Sequence, residues 1–142
     1  MNRNHWATGI AIVAVIVVLI LGFRFLGSPA KQRELQADMR RVQALATLAQ
    51  QISFSWNHSG KTLPANLDKI TIAAKKDPFT GKPYGYHPKQ DGQYELCAMF
   101  AADNRQLPDA NTVDPWLHPK GDYCFQLDAS QPVPQAAYNY YY

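Results

Sequence analysis

Two cysteines carry the most specific chemistry in this chain. Cys97 and Cys124 are the only cysteines among 142 residues, and each lies in a stretch that alternates apolar and polar residues as a strand does. A disulfide between them would close a loop of about 28 residues and contribute roughly 3.5 kcal/mol through loop-closure entropy. Because a stable disulfide requires an oxidising compartment, this pairing predicts a domain outside the cytoplasm. Two buried free thiols are the alternative.

The remaining nucleophiles and metal-ligating residues form no catalytic pattern. The four histidines are scattered along the chain without the spacing of a metal site. Ser59 follows a histidine and Asp68 lies nearby in sequence, but nothing in their spacing defines a catalytic triad. We therefore predict that the protein is not an enzyme and binds no cofactor or metal. The histidines are His5, His58, His87 and His118.

Tyrosines and one polar loop are the residues that could form a ligand site. Four tyrosines fall on or beside predicted strands, where such residues are most often half-buried parts of a sheet. Residues 101–120 are rich in Asp, Asn and Pro. A module of the cell envelope that binds or senses a ligand through this loop and the surface tyrosines is therefore the alternative function. The tyrosines are Tyr84, Tyr86, Tyr94 and Tyr123.

Charge and hydropathy are distributed unevenly. Hydrophobic residues make up 46% of the chain, yet the mean hydropathy is −0.33, which excludes a polytopic membrane protein. The net charge is +3. Residues 1–56 carry six Lys/Arg against two Asp/Glu, whereas residues 57–142 carry eight against nine. Because the basic excess flanks the apolar run and forms no patch on the folded part, the sequence predicts no nucleic-acid partner.

Residues 6–27 are predicted to be a transmembrane anchor, preceded by a short tail of residues 1–5. Residues 6–23 contain no Asp, Glu, Lys or Arg. A helix of about 18 residues spans roughly 27 Å, close to the hydrocarbon thickness of a bilayer. This run exceeds the usual apolar region of a secretory signal, which favours an uncleaved signal-anchor. A signal peptide cleaved after Ser28-Pro29-Ala30 is the alternative.

An amphipathic stem helix is predicted over residues 28–60. Ser28 is a suitable N-cap, and Gly60 can end the helix in a left-handed conformation. Glu34 with Asp38, and Arg40 with Arg41, lie mostly outside the apolar stripe. The stripe recurs in steps of three and four residues at Leu35, Met39, Val42, Leu45 or Ala46, Ala49, Ile52 and Trp56.

A small α+β domain is predicted over residues 61–128. Asp77 to Gly81 has the composition of a tight turn, and Asp91-Gly92 that of a hairpin. Strands are predicted at residues 84–87, 93–100 and 122–128. The predicted fold class is therefore α+β, with an N-terminal transmembrane helix and a long amphipathic helix packed on a small antiparallel sheet. Residues 129–142 are predicted to be a flexible, Tyr-rich tail.

Two segments resemble a known family. They are Asp77-Pro78-Phe79-Thr80-Gly81-Lys82-Pro83-Tyr84-Gly85-Tyr86 and Tyr94-Glu95-Leu96-Cys97-Ala98-Met99-Phe100. The order of elements and these segments resemble type II secretion pseudopilins and type IV pilin-like proteins. They also resemble uncharacterised bacterial single-pass membrane proteins with a DPxTGxPYxY…YELCAxF segment. The resemblance implies a pilin-like fold, with a turn and strand motif at Asp77, Pro78, Gly81, Pro83, Tyr84 and Tyr86.

The chain departs from the family at two places. Prepilins carry a glutamate near the start of the apolar helix, and residues 9–14 contain none, so prepilin-peptidase processing and filament assembly are not carried over. Asp103, Asn104, Asp109 and Asp114 lie in the region of the pseudopilin calcium loop without matching its motif.

The expected function is therefore structural. We expect a non-catalytic interaction protein with a pilin-like domain, held by a single pass in the bacterial cytoplasmic (inner) membrane with its C-terminal domain extracytoplasmic. The expected partners are the lipid bilayer and another envelope or membrane protein, and a homo-oligomer is compatible with the sequence.

Overall fold

The computed structural model describes residues 3–26, 28–70, 75–105 and 114–136. The chain divides into two compact units, Met1–Arg33 and Glu34–Tyr142. Its elements are helices α1 (Arg3–Leu26) and α2 (Pro29–His58), a 3-10 turn at Leu67–Lys69, and strands β1 (Gly85–Pro88), β2 (Gln93–Phe100) and β3 (Gly121–Asp128). The predicted α+β class with a small antiparallel sheet is confirmed.

Helix α1 coincides with the predicted apolar segment. Its side chains are described over residues 6–22, and the large apolar side chains there are between 47% and 78% exposed. Across the described part of the chain, no helix combines the length and the hydropathy that crossing a membrane requires.

Helix α2 begins and ends as the sequence predicts. The Ser28 hydroxyl accepts a hydrogen bond from the Lys31 backbone N–H at 3.3 Å. Beyond the last turn, Gly60 has φ +65° and Lys61 φ +63°, and the Lys61 N–H donates to the Trp56 carbonyl at 3.1 Å. From Glu34 onward one face of the helix is buried. That face consists of Leu35, Val42, Leu45, Ala46, Leu48, Ala49 and Ile52, together with Asp38 and Arg41.

The sheet has the order β1-β2-β3, and both neighbouring pairs are antiparallel. In the β1–β2 hairpin, Asp91 has φ +55° and Gly92 φ +81°, the left-handed pair that a two-residue turn between twisted strands requires. Alternate side chains of β2 are buried against α2, as the period-two pattern predicts. They are Tyr94, Leu96, Ala98 and Phe100.

Strand β2 runs antiparallel to α2. At the strand's beginning, a Cβ on Gly92 would lie only 3.1 Å from the Trp56 ring, so the hairpin tip packs on the last turns of the helix. At the strand's end, the backbone N–H groups of Ala101 and Ala102 reach the Asp38 carboxylate. The last turns of the helix therefore lie near the beginning of β2, and Asp38 lies near its end.

Residues that follow the sheet also belong to the core. The Trp116 indole packs against Phe125, with ring centroids 4.9 Å apart, and its Nε1–H donates to the Pro134 carbonyl at 3.1 Å. Ala129 and Ala136 are buried. Within residues 129–136 of the predicted flexible tail, the two alanines are therefore buried and the Pro134 carbonyl is bound by Trp116, while Ser130, Gln131, Pro132 and Gln135 are exposed. Residues 137–142 lie outside the described residues.

The predicted disulfide is confirmed. Cys97 and Cys124 are directly opposite each other on β2 and β3 and are bonded, with an Sγ–Sγ distance of 2.07 Å. Their side chains alternate with the buried ones, so the bond lies on the sheet face turned away from α2. A Cβ on Gly85, the β1 neighbour of Cys97, would lie 2.9 Å from the Cys97 Cβ, and this position therefore accepts no side chain.

Removing the disulfide should lower stability without disturbing the core. We expect the Cys97→Ser/Cys124→Ser chain to lose about 3.5 kcal/mol of unfolding free energy, because the unfolded chain gains the freedom that the loop closure removed. Denaturant titration of the full chain in detergent measures this loss. Dithiothreitol should lower the midpoint of the parent to that of the variant and leave the variant unchanged. If complete reduction left the unfolding midpoint of the parent chain unchanged, the prediction would be contradicted.

Candidate functional site

The Asp77 turn is organised by its own carboxylate. Asp77 Oδ1 accepts hydrogen bonds from the backbone N–H groups of Phe79, at 2.7 Å, and Thr80, at 3.2 Å. Gly81, with φ +69°, donates its N–H to the Asp77 carbonyl at 2.8 Å. The turn closes where the Asp77 N–H donates to the Lys82 carbonyl, also at 2.8 Å. These contacts are the ones that the residue types at Asp77 and Gly81 predict.

A buried arginine connects this turn to α2. Arg41 Nε donates to Asp77 Oδ2 at 2.7 Å, and Arg41 Nη1 donates to Asp38 Oδ1, also at 2.7 Å. All three residues are almost inaccessible to water: Asp38 is 2% exposed, Arg41 6% and Asp77 5%. We call these residues the Arg41 cluster. Asp38 and Arg41 lie mostly outside the predicted apolar stripe, yet both are buried, because each finds a charge partner or backbone donors far away in sequence.

Asp38 extends the Arg41 cluster to the end of β2. Its two carboxylate oxygens accept hydrogen bonds from the Ala101 N–H, both at 3.0 Å, and from the Ala102 N–H, at 2.7 Å. These donors lie just past the last residue of the strand. The cluster thus joins helix, turn and strand end at one buried point. The i, i+3 spacing of Asp38 and Arg41 is the one local signal, and it does not distinguish a buried pair from a surface pair.

The hydrogen bonds of the cluster favour the charged forms of Arg41 and Asp77. Burial lowers the pKa of the Arg41 guanidinium, but the hydrogen bonds to Asp77 and Asp38 outweigh it and raise that pKa overall. Burial likewise raises the pKa of Asp77, yet the hydrogen bonds from Arg41 and from the Phe79 and Thr80 backbone outweigh it, so its pKa is lowered. Charge pairing and backbone donors together offset the desolvation of the ions.

Phe79 covers the outside of the cluster. The Arg41 Cζ lies 5.2 Å from the centroid of its ring, and the Arg40 Cζ lies 5.8 Å away. Both distances fall within the range of a cation–π contact. Half of the Phe79 residue surface remains exposed. The turn therefore presents an apolar ring to solvent while the guanidinium of Arg41 is shielded beneath it.

The remaining motif residues line the start of β1. Pro83 forms an isolated antiparallel bridge with Lys76. The hydroxyl of Tyr84 is buried and has no hydrogen-bond partner among the described residues. Burial, then the nearby Asp77 charge, raise the pKa of Tyr84 to about 12. The Tyr86 hydroxyl donates to the Pro64 carbonyl at 2.9 Å, and burial raises its pKa to about 12.

A cleft of about 260 Å³ opens beside these tyrosines. Two lysines, one aspartate and the two phenol rings contribute to its wall. The expected ligand site combined the loop at residues 101–120 with surface tyrosines; two of those tyrosines, Tyr84 and Tyr86, line this cleft, and no described residue of the loop does. The lining residues are Ala65, Asn66, Leu67, Asp68, Lys75, Lys76, Pro83, Tyr84 and Tyr86.

At the described ends of the 101–120 loop, several polar side chains pair with other residues of the same loop. Asp103 pairs with Arg105, with 2.7 Å between Oδ2 and Nη2, and Asn104 Oδ1 accepts the His118 N–H at 2.7 Å. The Asp114 carboxylate accepts the Trp116 N–H at 2.9 Å. Asp109 falls within residues 106–113, outside the described part. Among the described residues, no group of three His, Cys, Asp or Glu side chains could hold a metal.

Comparison with protein-family models, curated proteins and solved structures finds no match to this chain.

Loss of the Arg41 side-chain charge should destabilise the domain strongly. In Arg41→Met, Asp38 and Asp77 lose their shared cation while remaining buried, and we expect a loss of about 3–5 kcal/mol of unfolding free energy. Arg40→Met is the matched control, because Arg40 is exposed and should change stability by less than about 0.5 kcal/mol. Chemical denaturation of the two variants provides the comparison. Equal losses would show that the cluster contributes nothing specific.

The unfolding free energy should decrease in two separate steps as the pH is lowered. Burial lowers the pKa of His118 below its ordinary 6.5, although the Pro119 carbonyl and nearby Asp38 oppose this shift. As the pH falls below 6.5, the unfolded chain therefore binds a proton at this histidine that the folded chain binds only at lower pH. The unfolding free energy decreases over this range. Asp77 has its pKa lowered from 3.8, so its stabilising charge is present above pH 3.8 and is lost in a second step below it.

Two substitutions separate these steps. His118→Gln should abolish the upper step, whose slope is at most about 1.4 kcal/mol per pH unit for one proton, while Asp77→Asn should reduce the lower one. The measurement is the unfolding free energy between pH 3 and pH 8. His87→Gln, at an exposed position, should retain both steps. An upper step that survives His118→Gln would refute its assignment to this imidazole.

Proposed function

We propose that this protein is a membrane-anchored structural or interaction protein without catalytic activity. It displays a pilin-like domain on the extracytoplasmic side of the bacterial inner membrane. The observation that carries the proposal is the aliphatic surface of α1, where Ile, Val and Leu side chains stay about half exposed along residues 10–21. An aliphatic surface of this extent marks a site of contact with lipid or another protein.

The sequence of α1 favours lipid as that contact. Residues 6–23 carry no Asp, Glu, Lys or Arg, and a helix satisfies all its backbone hydrogen bonds internally, as a single segment in lipid must. Trp6 suits the interfacial position at one end, and in the sequence a basic residue, Arg24, follows the charge-free run directly at the other. These features support a single-pass signal-anchor.

The disulfide supports the extracytoplasmic placement of the domain. Cys97 and Cys124 are bonded on the solvent-facing side of the sheet, where a reducing cytoplasm would reach them. The rule that cytoplasmic flanks are positively charged favours the opposite orientation, since Arg24, Lys31 and Arg33 follow the apolar run. We give the disulfide more weight, because it depends on the compartment itself.

The roles of the motif residues support an architectural function. Asp77, Gly81 and Pro83 build a turn and its bridge, and Asp77 fastens that turn to α2 through Arg41. A long helix packed on an antiparallel sheet, with this motif at the start of β1, agrees with the resemblance to pilin-like proteins. Such a domain would act by contact with the bilayer and with another envelope protein.

The cleft favours ligand binding as a second candidate function. It combines Lys75, Lys76 and two tyrosines in one concave surface of about 260 Å³, a composition suited to a small anion with a flat apolar body. Two of its polar groups are already engaged, however: the Lys75 ammonium donates to the Asp68 carbonyl and the Tyr86 hydroxyl to the Pro64 carbonyl. This second function is therefore less well supported than the first.

Charge placed in α1 should release the protein from membranes. The full chain should stay in the membrane pellet after alkaline carbonate extraction, whereas Ile12→Asp/Ile16→Asp should be released, because each carboxylate at mid-bilayer costs roughly 3 kcal/mol. Gln36→Asp/Gln50→Asp adds the same charge at exposed positions of α2 and should remain in the pellet.

The orientation is tested on the same membranes. Protease added to spheroplasts should digest the C-terminal domain, and thiol titration should find no free thiol before reduction. Release of the parent chain by carbonate would refute the anchor. A protected domain with two free thiols would refute the extracytoplasmic placement.

A further inference from the structure

The Asp77–Gly81 turn carries an exposed apolar ring, which an arginine approaches from α2 and which two lysines flank in sequence. Phe79 is half exposed, and Arg40, Lys76 and Lys82 are exposed around the same short turn. Arg40 approaches the Phe79 ring from α2. Lys76 precedes the turn and Lys82 follows it, where the Asp77 N–H donates to the Lys82 carbonyl and closes the turn. We call these four residues the turn surface.

The charge of the turn surface is not neutralised by neighbouring carboxylates. In the described part of the chain, the basic residues that form ion pairs are Arg41, Lys89 and Arg105. The Asp77 carboxylate is buried and engaged by Arg41 and the turn backbone. Asp68, which lines the cleft beside Lys76, is an exposed acid nearby. The turn surface therefore has a positive excess.

Phe79 is also held in place before any partner arrives. Its N–H is fixed by Asp77, and its ring rests over Arg41, which is itself buried and immobilised by two carboxylates. A side chain that is already ordered loses little conformational entropy on binding. An exposed aromatic ring ordered in this way is suited to enter another apolar environment.

We propose that the turn surface docks on a bilayer that contains anionic phospholipids, with Phe79 at the boundary between headgroups and acyl chains. The lysines and Arg40 supply charge complementary to the phosphates, and an aromatic ring is the side chain favoured at that boundary. The proposal rests on the membrane attachment proposed above. Residues 29–39, the first turns of α2, separate Arg40 from the anchor and correspond to a helical rise of only about 17 Å, so attachment would keep the turn surface close to lipid.

Docking would add a second membrane contact to the domain. A protein surface rich in acidic groups is the competing occupant, but it would have to match both the ring and the three flanking cations. A bilayer supplies negative charge and an apolar layer together without such a specific match. The observations therefore favour lipid.

Quenching by brominated lipid tests the proposal on the full chain. Phe79→Trp is reconstituted in nanodiscs made with brominated acyl chains, either with phosphatidylglycerol or with phosphatidylcholine alone. The emission of the parent, which contains Trp6, Trp56 and Trp116, is subtracted. Phe54→Trp is the matched control, because Phe54 is 59% exposed on α2 and stacks on His58 instead of arginine.

We expect the tryptophan at position 79 to be quenched and blue-shifted in phosphatidylglycerol, and much less so in phosphatidylcholine, while the one at position 54 is unaffected. Lys76→Gln/Lys82→Gln in the Phe79→Trp background should lower the docking equilibrium constant about 30-fold. Lys120→Gln, at an exposed position beyond the turn surface, should leave it unchanged. Unfolding midpoints confirm that each variant is folded.

Two outcomes would overturn the proposal. Equal quenching at positions 79 and 54 would show that the turn surface has no preferred contact with lipid. No quenching at position 79 in either nanodisc would exclude the bilayer and favour an acidic protein as the occupant of the turn surface. Carbonate extraction of the same preparations reports the anchor separately, so failure of docking is distinguishable from failure of membrane attachment.

Discussion

The buried pairing of Arg41 with two carboxylates constrains the rest of the domain. Asp38 and Asp77 come from separate parts of the chain, and only the position of Arg41 between them makes both acceptable away from water. The cluster still carries one excess negative charge, which four backbone N–H groups offset, two from the turn and two from the residues after β2. The helix, the turn and the end of β2 must therefore be in their native arrangement for each buried ion to have its hydrogen-bond partners.

That geometry orients the sheet on the helix. The turn ends just before β1, and the donors to Asp38 follow β2 directly, so the cluster positions one end of the first hairpin. Trp56, close against Gly92, positions the other end. The inner face of β2 is then covered by α2, and the outer face is left for the disulfide and for a polar pair of Lys89 with Glu95. Within the described ranges of the chain, the cleft, the turn surface and α1 are surfaces open to partners.

Much of the local structure could be predicted from the sequence, whereas the centre of the site could not. The period-two pattern of β2, the left-handed glycines of both turns and the apolar stripe of α2 are short-range signals, each tied to backbone geometry. No short-range pattern predicts the positions of Asp38 and Arg41. Helical periodicity assigns a charged residue outside the stripe to solvent, yet these two are buried because their partners are supplied from 36 to 64 residues further along the chain.

The amino-acid sequence by itself determined the apolar helix, the cap at Ser28, the Asp77 turn, the strand alternation and the one possible pairing of cysteines. All of these depend on residue type and spacing over a few positions or, for the disulfide, on there being two cysteines. Only the tertiary structure decided that the bond lies on the outer face, that Trp116 covers residues beyond the sheet, and that Asp77 serves both its own turn and α2. Those outcomes depend on long-range packing and on desolvation of charge, which no local pattern encodes.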